Sequence, residues 1–120
     1  MAQKRILLLE DEGDIAELFL LGLRTSGYVV DIATTVALAR QRLATTRYDL
    51  VIADLRLPDG DGLQIADQAA DMGSKTCILS GYLFQLPAGS AEPHDVLMKP
   101  LRPRELLVAV ERSIGPAVGP

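Results

Sequence analysis

The chain has 120 residues, a formal net charge of −4, and 12 Lys and Arg against 16 Asp and Glu. That length suits a single domain. No Lys/Arg stripe of the kind a nucleic-acid backbone requires is present, which argues against direct nucleic-acid binding. Hydrophobic residues make up 48 % and aromatics only 4 %, so the core must be mostly aliphatic. The single cysteine, Cys77, excludes a disulfide framework within the chain, and inside Cys77-Ile78-Leu79 it reads as a small buried hydrophobe. No apolar run approaches the roughly 18 residues of a membrane span. Met1 to Arg5 leads straight into a strand-like run without the layout of a signal peptide. A cytoplasmic protein without a membrane anchor is the expectation.

Short apolar runs alternate with helical patterns along the chain. Ile6–Leu9 is the first strand run. Asp14 and Glu17 form a capping-box pattern for a first helix, in which Ile15, Leu18, Phe19 and Gly22 recur on one face and Gly27 supplies the stop. Val29–Ala33 follows, with Asp31 in its middle suggesting an edge strand. A second helix is predicted from about Thr35 to Thr45, with Val36, Ala39 and Leu43 inward. Leu50–Ala53 is a third strand, and a helix from near Gly62 turns Leu63, Ala66 and Ala70 inward. Thr76–Leu79 and Val96–Met98 are the last strands. Between them Tyr82–His94 carries Pro87, Gly89 and Pro93, so its helix is expected to be short or irregular. A final helix follows Pro103, with Leu106, Leu107, Val110 and Ile114 inward. Gly115-Pro116 ends it, leaving a domain over 1–115 and a flexible tail at 116–120.

Continuous apolar strands alternating with helices imply a doubly wound α/β sandwich with a parallel sheet. In such folds ligands bind beyond the carboxyl ends of the strands. The first strand run is followed by Glu10 and Asp11, the third by Asp54, the fourth by Ser80 and the fifth by Lys99. The fold rule sends all of them to one rim. Three carboxylates together repel unless a hard divalent cation with oxygen ligands offsets them, and Mg²⁺ fits that need. A carboxylate can also act as a nucleophile and form an aspartyl-phosphate. Lys99 and the Ser80 hydroxyl would then stabilise the phosphoryl oxygens.

On these residues the chain resembles the receiver domain of two-component response regulators, from about Lys4 to Ile114. Leu7-Leu8-Leu9-Glu10-Asp11-Glu12 is similar to the family's first strand and acidic pair. Asp54-Leu55-Arg56-Leu57-Pro58-Asp59-Gly60-Asp61-Gly62 is similar to the segment around its phosphoacceptor. Leu79-Ser80-Gly81-Tyr82 and Met98-Lys99-Pro100-Leu101 resemble its hydroxyl and Lys-Pro motifs. The resemblance implies a flavodoxin-like five-stranded parallel sheet of order 2-1-3-4-5. It also implies Asp54 as phosphoacceptor, with Lys99 and Ser80 as phosphoryl contacts. Mg²⁺ would be held by Asp11, Asp54 and the Arg56 carbonyl, with Glu10 acting through water. The Lys99–Pro100 peptide would be cis. Two departures stand out: Glu10 where the family often has Asp, and Val96 where it often places an aromatic switch residue.

Other features admit plainer readings. Asp59-Gly60-Asp61-Gly62 lacks the ligand spacing and closing Glu of a calcium loop and reads as a turn. His94, the only histidine, reads as an exposed loop residue beside Pro93. Tyr82 fits equally a shield over the phosphoryl site and a loop-packing residue. The first helix has a second apolar set, Ala16, Leu20 and Leu23. Packing against the last helix is the simpler explanation. The alternative is a docking surface for a histidine kinase or histidine phosphotransfer protein, with Ile15, Leu18 and Leu101 as candidate contacts. The function expected is therefore a phosphorelay receiver. It takes a phosphoryl group from a phosphohistidine partner, catalyses at most its own phosphorylation and dephosphorylation, and has room for a weak homodimer. The competing reading is a phosphorylation-independent interaction module of the same fold.

Overall fold

In chain order the elements are β1 (Arg5–Leu9), α1 (Gly13–Thr25), β2 (Val29–Ala33), α2 (Val36–Thr45), β3 (Leu50–Asp54), α3 (Gly62–Asp71), β4 (Lys75–Ser80), β5 (Asp95–Met98) and α4 (Pro103–Ile114). They come from a computed structural model that describes residues 3–81, 89 and 92–117. The irregular helix expected within Tyr82–His94 lies outside the described residues, apart from Gly89 and Glu92–His94, and Tyr82 lies outside them too.

The strands form one parallel sheet in the order β2-β1-β3-β4-β5, as the family resemblance implied. β1 and β3 are central, and their continuous aliphatic runs are buried on both faces. Alternate residues feed two cores. Ile6, Leu8, Ile52 and Leu79 face α1 and α4, where Phe19, Leu23, Leu106 and Val110 meet them. Leu7, Leu9, Val51 and Ala53 face α2 and α3, meeting Val36, Ala39, Leu43, Ile65 and Ala69. Each fully buried Leu or Ile contributes on the order of 2 kcal/mol. β2 is an edge strand, and Asp31 within it is half-buried, accepting from the Tyr48 hydroxyl at 2.6 Å.

Several local expectations change. α1 starts at Gly13 after Glu12, which makes no side-chain cap; Asp14 lies in the first turn, so the Asp14–Glu17 capping box does not form. Its buried face is Ala16, Phe19 and Leu23, flanked by Ile15 and Leu20, whereas Leu18 is 56 % exposed. The core face thus draws on both apolar sets, Ala16 and Leu23 from the second and Phe19 from the first. α3 buries Ile65, Ala66 and Ala69, with Leu63 and Ala70 only half-buried. His94 is buried rather than exposed. Its Nδ1 meets Thr76 Oγ1 at 2.5 Å and its Nε2 meets Asp67 Oδ1 at 2.6 Å, joining β4, α3 and the start of β5. Beyond α4, Ala117 is buried in the core and its carbonyl accepts from the Lys4 N–H at 3.2 Å. Packing therefore runs past the expected boundary at residue 115.

Candidate functional site

The register of the sheet assembles the rim. Leu9 pairs with Ala53, Asp54 with Leu79, and Ser80 with Met98, so the residues beyond these pairs emerge side by side. Two ladder-like bonds extend the strands into the site: Glu10 N–H to the Ala33 carbonyl at 3.1 Å, and Lys99 N–H to the Ser80 carbonyl at 2.9 Å. Glu10, Asp54 and Ser80 are buried, and Asp11 is exposed.

The contacts are charge-assisted. The Lys99 ammonium donates to Asp54 Oδ2 and to Glu10 Oε2, the latter at 3.2 Å. The other oxygen of Asp54 accepts from the Arg56 N–H at 2.9 Å. Burial, with the neighbouring Asp54 carboxylate, pushes the Glu10 carboxyl up to about 7, and Lys99 only partly offsets this. For Lys99, burial works toward a lower pKa, but Asp54 and Glu10 outweigh it and hold the ammonium above its usual range. The Lys99–Pro100 peptide is cis, as the resemblance implied.

The donor set suits a hard cation. Glu10, Asp11 and Asp54 each offer a carboxylate oxygen, and these atoms lie within 4.8 Å of one another. A cavity of about 370 Å³ opens over Asp11 and Asp54, lined also by Arg56, Ser80 and Lys99 among others. Gly62 packs against the end of β3, where a β-carbon would run into the carbonyl oxygen of Asp54. A second cavity of about 530 Å³ adjoins it through Glu12, Gly81 and Lys99. Ile15, Leu18, Phe19, Leu101 and Pro103 give this one an apolar wall. All the proposed chemical residues thus share one rim, and the three docking candidates share the adjoining groove.

The sequence profile of the response regulator receiver domain matches residues 6–111. The chain belongs to the response regulator receiver family. This receiver domain is 31 % identical to the response regulator receiver protein CpdR of Brucella abortus, over 92 % of its own length and 97 % of that protein. It is 32 % identical to the response regulator protein PilR of Pseudomonas aeruginosa, but spans only 28 % of PilR's length. Among solved structures it is similar to a CheY-like receiver domain protein of Methanospirillum hungatei, with TM-score 0.83, 26 % identity and 94 % of each chain covered. It is also similar to the response regulator TrrA of Thermotoga maritima in complex with Mg²⁺-BeF. There the TM-score is 0.80 with 29 % identity, covering 91 % of this receiver domain and 97 % of TrrA.

Sequence reasoning missed three things, two of them in the loop beyond Asp54. Asp61 caps α3, its side chain accepting from the Gln64 N–H at 3.3 Å; the spacing Asp61-x-x-Gln64 is a readable signal. Asp59 caps α2 from outside that helix, and the His94 bridge joins three elements. The last two depend on tertiary contact and leave no local sequence signal. Among the described residues no helix is long and apolar enough to cross a membrane.

Proposed function

We propose that this receiver accepts a phosphoryl group on Asp54 from a phosphohistidine of a histidine kinase or phosphotransfer protein, with Mg²⁺ as cofactor. The observation that carries the reading is Asp54 itself: a buried carboxylate at the end of β3, beside two further acids and joined to one lysine.

An Asp54 oxygen forms a bond to phosphorus while the bond from phosphorus to the donor histidine nitrogen breaks, leaving an acyl phosphate on β3. Asp11, Asp54 and the Arg56 carbonyl would hold Mg²⁺, with Glu10 through water; bound there, the cation supplies positive charge against the carboxylates and phosphoryl oxygens. The Lys99 ammonium already sits on the Asp54 carboxylate, so a phosphoryl group on that carboxylate falls within its reach. The hydroxyl of Ser80, at the end of the neighbouring strand, donates to a second phosphoryl oxygen. The apolar groove beside the site receives the donor protein through Ile15, Leu18 and Leu101. The receiver is a substrate and self-catalyst rather than a turnover enzyme, and its output is protein–protein contact.

Intact-protein mass spectrometry after incubation with Mg²⁺ and acetyl phosphate tests this. The expected result is a gain of one phosphoryl group, absent in Asp54→Asn and abolished by a chelator. No gain from acetyl phosphate or from a phosphohistidine donor would leave a phosphorylation-independent interaction module as the better reading.

A further inference from the structure

The loop between β3 and α3 is fastened at both ends. Asp61 caps α3, the helix the loop leads into. Asp59 reaches sideways to α2: its Oδ1 accepts from the Val36 N–H at 2.7 Å and its Oδ2 from the Ala37 N–H at 3.0 Å. Both carboxylate oxygens are thus used on two of the orphan donors of a helix start that is 22 to 23 residues away in sequence. The same two backbone donors hold the exposed Asp59 carboxyl below the usual carboxylate range.

Between Asp54 and Asp59 the loop is a tight turn. The Arg56 N–H donates to Asp54, Leu57 and Gly60 exchange N–H···O bonds at 3.1 and 3.3 Å, and Gly60 packs close to Val36. Arg56, the residue whose carbonyl is assigned to the cation, therefore sits between a fixed strand end and the Asp59 anchor. Thr35 already caps α2 locally, its hydroxyl oxygen accepting from the Leu38 N–H at 3.0 Å. The helix thus has its own cap, and the added Asp59 contact serves to fix the loop.

We propose that Asp59 is a positioning residue for the cation site: by anchoring the β3–α3 loop to the N-terminus of α2, it holds the Arg56 backbone where a cation on Asp54 and Asp11 needs it. This rests on the reading of that rim as a Mg²⁺ site. Loop anchoring matters because a hard cation such as Mg²⁺ demands near-ideal geometry from its few protein ligands.

The test compares wild type, Asp59→Ala, Asp59→Asn and Thr35→Ala by Mg²⁺ titration calorimetry and by amide exchange at Arg56, Leu57 and Gly60 without cation. The expected result is Mg²⁺ binding weakened about tenfold in Asp59→Ala, the low end of what loss of outer-shell support costs. Exchange at the three amides should be faster. Asp59→Asn, which keeps one acceptor oxygen, should fall between. Thr35→Ala weakens the same helix end without touching the loop and should leave both readouts near wild type. Equal losses in Thr35→Ala and Asp59→Ala, or none in Asp59→Ala, overturn the proposal. If wild type itself binds no Mg²⁺, the proposed function fails, and exchange alone decides the anchor. Faster exchange confined to the Asp59 variants keeps it, and any other pattern overturns it.

Discussion

Lys99 Nζ lies 3.2 Å from Glu10 Oε2, across 89 residues of sequence, while also donating to Asp54. One ammonium from the end of β5 thereby balances carboxylates from the ends of β1 and β3. Replacing it by Met keeps the stem and removes the charge. Lys99→Met should destabilise the cation-free protein by about 1–3 kcal/mol, below the figure for a fully buried pair because Lys99 keeps some exposure. Urea unfolding should show a lower midpoint at unchanged slope, and millimolar Mg²⁺ should recover part of the loss. An unshifted midpoint would mean that the shared contact adds nothing to stability.

The Glu10 carboxyl, pushed up to about 7 by burial and by Asp54, gives a pH dependence with a definite sign. A folded-state pKa above the unfolded one favours the protonated form in the fold. Its contribution is fully present below about 4.5 and is lost as pH rises toward and through 7. Glu10→Gln should therefore flatten the cation-free stability profile between these limits. Parallel wild-type and variant profiles across that window would count against the burial argument.

Tyr48 donates to Asp31 at 2.6 Å beneath the edge strand, and burial together with Asp31 pushes its phenol up to about 12. Tyr48→Phe should cost about 1–2 kcal/mol at neutral pH, the range for a hydrogen bond to a charged group with partial exposure. Because the folded pKa is raised from 10, the wild-type advantage is complete below pH 10 and lost between 10 and about 12. Thermal melts of both proteins across that range would check it.

Leu18 is 56 % exposed, yet it lines the apolar groove beside the rim that holds Asp54. Leu18→Ala should change stability by less than about 0.5 kcal/mol, as exposed substitutions do. It should slow phosphoryl transfer from a protein donor while leaving the reaction with acetyl phosphate untouched. An equal effect on both donors would remove the groove from donor docking.

The rim was readable because it needed only two facts, the ends of apolar runs and the rule that parallel strands point their carboxyl ends one way. Glu10, Asp11, Asp54, Ser80 and Lys99 each follow directly on such a run, so an error of one or two residues in a boundary would not have moved them. Helix faces were harder. α1 offers two overlapping apolar sets, and nothing local says that Ala16 and Leu23, rather than Leu18, meet the sheet and α4. In α3, Ile65 and Ala69 form the buried face instead of Leu63 and Ala70, a rotation that small residues do little to resist. Contacts such as Asp59 with α2, or His94 with Thr76 and Asp67, join segments far apart in the chain, so no window of sequence contains them.

The His94 bridge works at the end of the sheet away from Asp54. The Thr76 hydroxyl can donate to Nδ1 or accept from it, and Asp67 can accept from Nε2 in either case. The ring thus spends both of its nitrogens on links between elements. The seam joining α3, β4 and β5 is therefore pinned where β4 and β5 begin, at the pole opposite the rim where Glu10 shares its lysine with Asp54.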